Sequence, residues 1–452
     1  MVQVSGQNVR PIRVRFAPSP TGFLHIGGLR VALFNWLFAR QQGGVYLLRI
    51  EDTDLERSKR EYVDSILEAF AWVDIISEEP VAYQTQRFVL YKTYIDRLLD
   101  SGKVYWSDPV DEENGQSVIR FRLPKERRQI SFNDLIHGPI TFDTDQLGGD
   151  FVVARSDGTP LYNFVAVVDD TEMRISHVIR GEDHIPNTPK QILLYEALGA
   201  AVPEFAHLPL ILGPSGEKLS KRDAATSVVE YRAAGFLPDA LCNYLVRLGW
   251  AHGDQEIFTR DEMKKFFSLD NVNKSGAIFD MAKLRWMNGV YIRQRSAESL
   301  ANSIHEQVDP DFLKKCSSAP YVWSAAQVSH ALELYKERVA TLVELRDLVI
   351  ALHTLPSLLP PPGEVLWNAK SGALLGNFVE HLGRLEELTV GTVERVLKSV
   401  CIEHEIPLPV LAKPLRYALT GQVNSPSVYA LVVLLGYDEV VRRINHLRSI
   451  VE

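Results

Sequence analysis

The chain predicts an α/β fold: a doubly wound parallel sheet with an inserted α+β module, followed by an all-helical C-terminal region. Three observations carry this. Residues up to Ile50 read strand–helix–strand, and a strand–helix pattern resumes beyond Leu161. Beyond Val228 strand signals thin out and helical periodicity takes over. Alternating strands and helices are the Rossmann-like pattern of an open parallel sheet.

Ile12–Arg13–Val14–Arg15–Phe16 alternates apolar and polar residues at the period of a strand. A polar turn follows, Ala17–Pro18–Ser19–Pro20–Thr21–Gly22. Leu29, Leu33, Trp36 and Leu37 recur at helical spacing, and Gly43–Gly44 supplies the stop. Val45 to Ile50 reads as the next strand, so His25, Gly27 and Gly28 stand at the mouth of the helix in a βαβ unit. A helix start carries unpaired N–H groups and partial positive charge, which suit a phosphate. Two readings stand here. Either the glycines admit a phosphate to which His25 donates, or they only form the turn and His25 is a surface residue.

Glu51–Asp52–Thr53–Asp54 comes next, then Glu56, Arg57, Lys59 and Arg60. Ligands of open sheets bind outside the carboxyl ends of the strands, which puts Glu51 where it meets a group such as an ammonium. A helix N-terminus also favours carboxylates at these positions. Residues 62–72 and 83–99 read as helices. From Gly102 the pattern shortens to strands of an inserted module: Val118 to Leu123, Ile130 to Phe132 and Ile140 to Phe142.

The α/β pattern resumes with the apolar run Tyr162 to Val168, closed by Asp169–Asp170. Ile175 to Arg180 reads as a buried strand with Gly181–Glu182–Asp183–His184 at its carboxyl end. A helix from Pro189 to Leu198 and a strand from Leu208 to Leu212 lead into Gly213–Pro214–Ser215–Gly216–Glu217–Lys218–Leu219–Ser220–Lys221–Arg222. Flexible ammonium groups such as Lys218 and Lys221 suit a triphosphate whose charge rises during displacement; loops of this composition are also often only solvated. Helices are expected over 237–248, 260–267, 281–287, 393–400 and 428–435. Residues 335–352 read as one longer helix, and Leu359–Pro360–Pro361–Pro362–Gly363 as a connection between helices.

At 452 residues the chain has room for two to four domains. Its 46% hydrophobic and 23% charged residues are ordinary for a soluble globular protein. Cys242, Cys316 and Cys401 lie far apart, which points away from a disulfide framework or zinc site and fits a reducing cytoplasm. The opening residues lack the apolar core of a signal peptide, and the longest apolar run, Tyr429 to Leu435, is too short to span a bilayer. A cytoplasmic protein with no membrane partner is the expectation. The net charge of −8 neither argues for nor excludes a nucleic-acid partner.

The joint order of these segments is more telling than any one of them. The turn leading into His25–Ile26–Gly27–Gly28, followed after a resumed α/β pattern by Lys218–Leu219–Ser220–Lys221–Arg222, resembles the His-Ile-Gly-His and Lys-Met-Ser-Lys-Ser signatures of class I aminoacyl-tRNA synthetases. Within that class the chain is most similar to the bacterial-type glutamyl-tRNA synthetases. Phe16 to Gly22, Arg49 to Asp54, Tyr162 to Phe164 and Val178 to His184 carry that similarity. The helical C-terminal third fits the bacterial type, whose anticodon region is helical where the archaeal, eukaryotic and glutaminyl enzymes have β-barrels. Two departures stand out. Gly28 occupies the place of the second signature histidine, as the glutamyl subfamily tolerates. Tyr105–Trp106–Ser107–Asp108–Pro109 stands where many relatives carry a Cys-x-Cys pair, so a trimmed insertion and no structural zinc are expected.

The resemblance implies ATP-dependent ligation of L-glutamate to tRNA-Glu through glutamyl-adenylate, releasing AMP and pyrophosphate, with Mg²⁺ arriving on ATP. His25, Lys218 and Lys221 would be catalytic and, with Gly27 and Gly28, would hold ATP. Arg15 and Arg180 would take carboxylates, Ser19 and Tyr162 would supply hydroxyls, and Glu51 would hold the ammonium. Ion pairing of Arg15 and Arg180 with Glu51 or Glu182 is the structural alternative. Asp54 and Arg57 fit either the tRNA acceptor end or helix capping. The implied divisions are a catalytic domain at 1–100 and 161–227, an acceptor-end module at 101–160, a stem-contact domain at 228–325 and an anticodon domain at 326–452. A monomer is expected. Rival readings are an enzyme that also charges tRNA-Gln, a non-catalytic tRNA-binding paralogue, and a small-molecule nucleotidylyltransferase.

Overall fold

The computed structural model describes residues 11–109, 115–217, 219, 227–318, 322–355 and 369–451. Strand β1 (Arg13–Phe16), helix α1 (Ile26–Gln41) and strand β2 (Val45–Ile50) form the expected βαβ unit. The strands run parallel, with Arg13 opposite Val45 and Phe16 opposite Leu48. Helix α1 is buried nearly all round, from Leu29 through Ala39, as a helix packed on both sides must be. Its return to β2 is so tight that a Cβ on Gly44 would lie 2.6 Å from the Ile12 carbonyl oxygen, so this corner requires glycine.

Helix α2 (Arg60–Trp72) leads to β3 (Ala82–Tyr83), which adds in parallel to β2. Helix α3 (Phe88–Asp100) begins later than the sequence suggested, because Ala82–Tyr83 pair with the sheet and Gln84–Arg87 form a 3₁₀ turn. The insertion opens with β4 (Val104–Trp106) and β5 (Ile119–Phe121), continues through the hairpin β6 (Gln129–Asp134) and β7 (Gly138–Asp143), and closes with β8 (Phe151–Ala154). Strands β4, β5 and β8 form a small antiparallel sheet.

The apolar run after Leu161 is helix α4 (Tyr162–Glu172), buried from Phe164 through Asp170. Strand β9 (His177–Gly181), helix α5 (Thr188–Leu198) and strand β10 (Glu204–Leu208) complete the second half, with β9 and β10 parallel. Ser176 N–H donates to the Arg13 carbonyl (2.9 Å), joining the edge of β1 to the start of β9. Strand order therefore reverses between β1 and β9, the switch point where open sheets bind ligands. The hairpin of the insertion is not separate from this sheet. Strand β6 lies parallel beside β10, Asp134 opposite Phe205, and Leu135 N–H donates to the Phe205 carbonyl.

The expected strand over 208–212 divides in two. Strand β10 ends at Leu208, and β11 (Ile211–Leu212) pairs instead with β12 (Ala277–Ile278). Pro209 cannot donate to a ladder, and its carbonyl is taken by the buried Arg30 guanidinium.

Helices α6 (Val228–Ala233), α7 (Pro238–Arg247), α8 (Arg260–Phe266) and α9 (Met281–Gln294) follow. The chain divides into two compact units, one of residues up to 231 with 238–284, the other of 232–237 with 285–452. Among its described residues the second unit is built of helices without strands: the rest of α9, α10 (Ala297–Gln307), α11 (Phe312–Cys316), α12 (Ala325–Tyr335), α13 (Leu342–Leu352), α14 (Ala369–Leu382), α15 (Val390–Glu403), α16 (Leu408–Thr420), α17 (Val428–Leu435) and α18 (Tyr437–Val451). Arg443 of α18 is fully buried there, paired with Glu439 (2.6 Å) and donating to the carbonyls of Leu352 and Leu419 at the ends of α13 and α16. A cation at two helix C-termini satisfies carbonyls that have no intrahelical partner. The Pro-rich connection at 359–363 lies outside the described residues.

Residues 335–352 are not one helix. Helix α12 ends at Tyr335, a 3₁₀ turn covers Lys336–Arg338, and α13 starts at Leu342. A capping box makes the break. Glu344 N–H donates to Thr341 Oγ1 (3.2 Å), and the Glu344 carboxylate accepts from the backbone of Thr341 and Ala340. We expect Thr341→Ala to lower the stability of the helical unit by about 1 kcal/mol, the usual loss for a deleted N-cap. Urea unfolding followed by far-ultraviolet circular dichroism measures this.

Candidate active site

A cavity of about 530 Å³ opens at the switch point. Its walls include Arg15, Ser19, His25, Gly27, Gly28, Glu51, Tyr162 and Arg180, so eight of the residues singled out in the sequence share one space. Leu219 also lines it, whereas Lys218 and Lys221 lie outside the described residues.

The phosphate side is built by the start of α1. His25 is the N-cap, and its Nδ1 accepts from Gly28 N–H (3.1 Å). That bond leaves Nε2 as the protonated nitrogen of the neutral ring, a hydrogen-bond donor. Both glycines are closely approached, Gly27 by the His25 ring and Gly28 by the end of the Leu24 side chain. A Cβ on Gly27 would lie 2.9 Å from the His25 ring, and one on Gly28 would lie 2.9 Å from Leu24 Cδ1.

The floor is a buried ion network. Arg15 holds Asp170 through two bonds, Nε to Oδ1 at 3.0 Å and Nη2 to Oδ2 at 3.2 Å. Arg49 reaches Asp170 at 2.7 Å and Glu51 at 3.0 Å, and stands 3.6 Å from Asp169. Asp169 accepts from Arg87 (2.7 Å), Tyr91 (2.9 Å) and Gln84 (2.9 Å). Burial alone would raise the Asp170 pKa, but Arg15 and Arg49 outweigh it and hold the carboxyl below the ordinary value. At Glu51 burial wins over Arg49 and Arg15, so its pKa is raised. Glu51 is thus the carboxylate of the network whose charged form the interior favours least, though Arg49 holds it.

Arg180 differs from Arg15. Both are buried, but among the described residues no carboxylate pairs with Arg180. Its guanidinium donates to His207 Nε2 (3.2 Å), Gln191 Oε1 (2.8 Å) and Thr188 Oγ1 (2.9 Å), all neutral acceptors. Burial accordingly pulls its pKa below the usual arginine value. His184 lies beside it, pushed down to about 4 by burial and then by Arg180, so its ring is neutral at physiological pH. The Tyr162 hydroxyl is 3.2 Å from His184 Nδ1.

The alternative that Arg15 and Arg180 pair with Glu51 or Glu182 is therefore corrected: Asp170 takes Arg15, Arg49 takes Glu51, and Arg180 is paired with neither carboxylate. Asp170, Arg49, His184, Gln191 and His207 went unsingled in the sequence. The Asp169–Asp170 pair closing an apolar run was the available signal, since carboxylates so placed require buried cations. Asp54 and Arg57 stand outside the cavity lining and bond each other, Nε to Oδ2 at 2.7 Å and Arg57 N–H to Oδ1 at 3.2 Å. The N-cap of α2 is Lys59, so Asp54 closes the preceding turn and does not cap that helix. Among the described residues no group of three or more His, Cys, Asp or Glu side chains gathers as a metal site, and no helix is long and apolar enough to cross a membrane.

The family model for the catalytic domain of class I tRNA synthetases (E and Q) matches residues 11–114 and 107–286. The chain belongs to that family. A second model, an anticodon binding domain, matches residues 300–448, within the helical unit. The chain is 42% identical to the glutamate–tRNA ligase of Pelobacter propionicus, over 98% of this chain and 99% of that one. It is also 42% identical to the corresponding ligase of Nitratidesulfovibrio vulgaris, over 95% and 98%. A crystal structure of a glutamate tRNA ligase from Elizabethkingia meningosepticum, in complex with its amino acid, is 31% identical and superposes with a TM-score of 0.87, covering 98% of this chain and 100% of that one. Family membership thus joins the α/β catalytic half to a helical anticodon domain, as in the bacterial type.

The network has a pH signature. Because the Asp170 pKa is lowered on folding, its stabilisation is present above the unfolded value of about 4 and is lost as pH falls through the lower folded value. Asp170→Asn should destabilise the catalytic unit by about 3–5 kcal/mol at neutral pH by leaving two buried guanidiniums without their shared carboxylate. It should also weaken the acid dependence below about pH 4. Urea titrations of both proteins across that range give the comparison.

Proposed function

We propose that this chain ligates L-glutamate to tRNA-Glu in two steps at this cavity. The α-carboxylate of glutamate attacks the α-phosphate of ATP, giving glutamyl-adenylate and pyrophosphate. The terminal ribose hydroxyl of the tRNA then attacks the activated carbonyl and releases AMP. The observation that carries this reading is Arg180, a buried cation without a carboxylate partner among the described residues, facing the same space as Arg15 and Glu51. A dicarboxylate bearing an ammonium answers each of these groups. Arg180 and Arg15 take carboxylates, Glu51 takes the ammonium, and Ser19 and Tyr162 add hydroxyls. Relatives at about 40% identity along their whole length are named as glutamate–tRNA ligases, which supports the same substrate.

The attacking carboxylate is ionised at neutral pH, so the first step requires no general base. Alignment and charge stabilisation do the catalysis. His25 Nε2–H and the start of α1, with Gly27 and Gly28 admitting the phosphates, act from one side. Lys218 and Lys221 act from the other. Magnesium comes with ATP, held chiefly by phosphates and water, and the reading includes no structural zinc. Asp54 and Arg57 meet the acceptor end beside the module at 101–160, residues 228–325 meet the stem, and 326–452 read the anticodon. The enzyme works as a cytoplasmic monomer. Its three cysteines, all buried and free, fit a reducing compartment.

Glutamate-dependent pyrophosphate exchange, run without RNA, with tRNA-Glu and with tRNA-Gln, tests the reading. Exchange with tRNA-Glu is expected, and its absence in every arm would sink the proposal. Arg180→Gln should raise the KM for glutamate by about a hundredfold, through loss of a buried charge-assisted pair, and leave the KM for ATP nearly unchanged. Unchanged glutamate kinetics would remove Arg180 from the pocket.

A further inference from the structure

Arg180 is aimed by a residue of the inserted hairpin. Asp134, the last residue of β6, is fully buried, with one oxygen 2.7 Å from His207 Nδ1. The same carboxylate accepts from the backbone N–H of Ile136 and His137 (2.9 Å each) and from His207 N–H (3.1 Å). On the far side of the ring, Nε2 accepts from Arg180 Nε–H (3.2 Å). We propose that Asp134 and His207 are positioning residues for glutamate recognition, Asp134 fixing the His207 tautomer so that its Nε2 lone pair orients the Arg180 guanidinium toward the substrate carboxylate. This rests on the reading of Arg180 given above.

The bonds at the two ring nitrogens select one protonation pattern, in which the Thr188 hydroxyl, 3.2 Å from Nε2, is a donor beside Arg180. Arg180 Nε carries a hydrogen and cannot accept, so His207 Nε2 must be bare and its proton must sit on Nδ1. A buried carboxylate at Nδ1 enforces that tautomer, as carboxylates behind ligand-holding histidines do. The ionisations agree. Burial lowers the His207 pKa despite the bond to Asp134, while that bond and the backbone donors overcome burial to lower the Asp134 pKa. The pair is thus a neutral imidazole bonded to a carboxylate, not an imidazolium salt bridge.

The arrangement also fits the absence of a carboxylate on Arg180 among the described residues. A direct carboxylate partner, such as Asp170 is to Arg15, would neutralise part of the guanidinium's charge. An interposed neutral ring fixes the direction of Arg180 and leaves its charge for the ligand. Thr188 Oγ1 and Gln191 Oε1 complete the cradle with further neutral acceptors.

The test is Asp134→Asn in the full-length enzyme, assayed by aminoacylation with separate KM values for glutamate and ATP. The new amide must give its oxygen to the Ile136 and His137 N–H groups, so its NH₂ faces His207 Nδ1 and forces the proton to Nε2, donor against donor at Arg180. Glutamate KM should rise about ten- to hundredfold, with kcat and ATP KM little changed. Adding His207→Gln should restore glutamate KM, because a side-chain amide oxygen near the Nε2 position accepts from Arg180 whatever residue 134 is. A structural role alone would move both KM values or resist rescue, and either result would overturn the proposal, as would an unaltered glutamate KM. Should Asp134→Asn fail to fold, His207→Gln and His207→Leu alone decide it: the first should keep glutamate KM and the second raise it, and equal effects refute the proposal. Arg180→Gln runs alongside. If it leaves glutamate KM unchanged, the reading of the pocket fails; if it raises KM while Asp134→Asn does not, only the positioning role fails.

Discussion

Everything at the candidate site rests on the burial of Asp170 between two arginines. Helix α4 carries this carboxylate into the interior, where it bonds Arg15 of β1 and Arg49 of β2 at once. An ionised carboxylate in such a place is tolerable only when fully paired. The pairing fixes where both strands and the helix lie relative to one another. Arg49 then passes the constraint to Glu51, one residue beyond the end of β2, and Asp169 passes it to Arg87, Tyr91 and Gln84. Net stabilisation from such networks is small. Their effect is geometric, since a one-residue slip of any member strands a charge in the core.

Against that floor the cavity sorts its arginines by function. Arg15 shares its carboxylate with Arg49 and still borders the open space, while Arg180 is held by neutral acceptors. Burial lowers the Arg180 pKa and raises that of Glu51, so the interior disfavours the charged form of both; Glu51 is paired with Arg49, while Arg180 is held by neutral acceptors. A guanidinium held only by neutral acceptors and a carboxylate shared with Arg49 thus face one space, which is the feature the proposed reading uses. His25, Gly27 and Gly28 add the donor-rich start of α1 on the adjacent wall, which favours an anion.

How much of this the amino-acid order discloses follows from how local each cause is. The βαβ unit was legible because period-two strands, a helical stripe and the Gly43–Gly44 stop are short-range signals. The residues of the cavity wall were legible too, as they sit at strand ends and turns that the motifs mark. The pairing among them was not, since Asp170 is 155 positions from Arg15 and only the fold brings them together. The run 164–168, apolar throughout, carries no period to distinguish a buried helix from a strand. The break between α12 and α13 was a local signal passed over: Thr341 and Glu344 stand at capping-box spacing inside what reads as a continuous apolar stripe.

The hairpin of the insertion gains most from the structure. In the sequence it interrupts the sheet; in the fold it extends the sheet, because β6 lies parallel to β10 and shares the hydrophobic core with Phe205 and Ile130. A module joined to its host only by two chain crossings could shift without consequence for the pocket. This one cannot. Asp134 ends the strand that contacts β10, and its carboxylate is bonded to a residue of β10 whose other face touches Arg180. Any displacement of β6 along β10 therefore reaches the guanidinium through a single imidazole ring. The insertion thus lies behind the wall that Arg180 forms, coupled to it through Asp134 and His207.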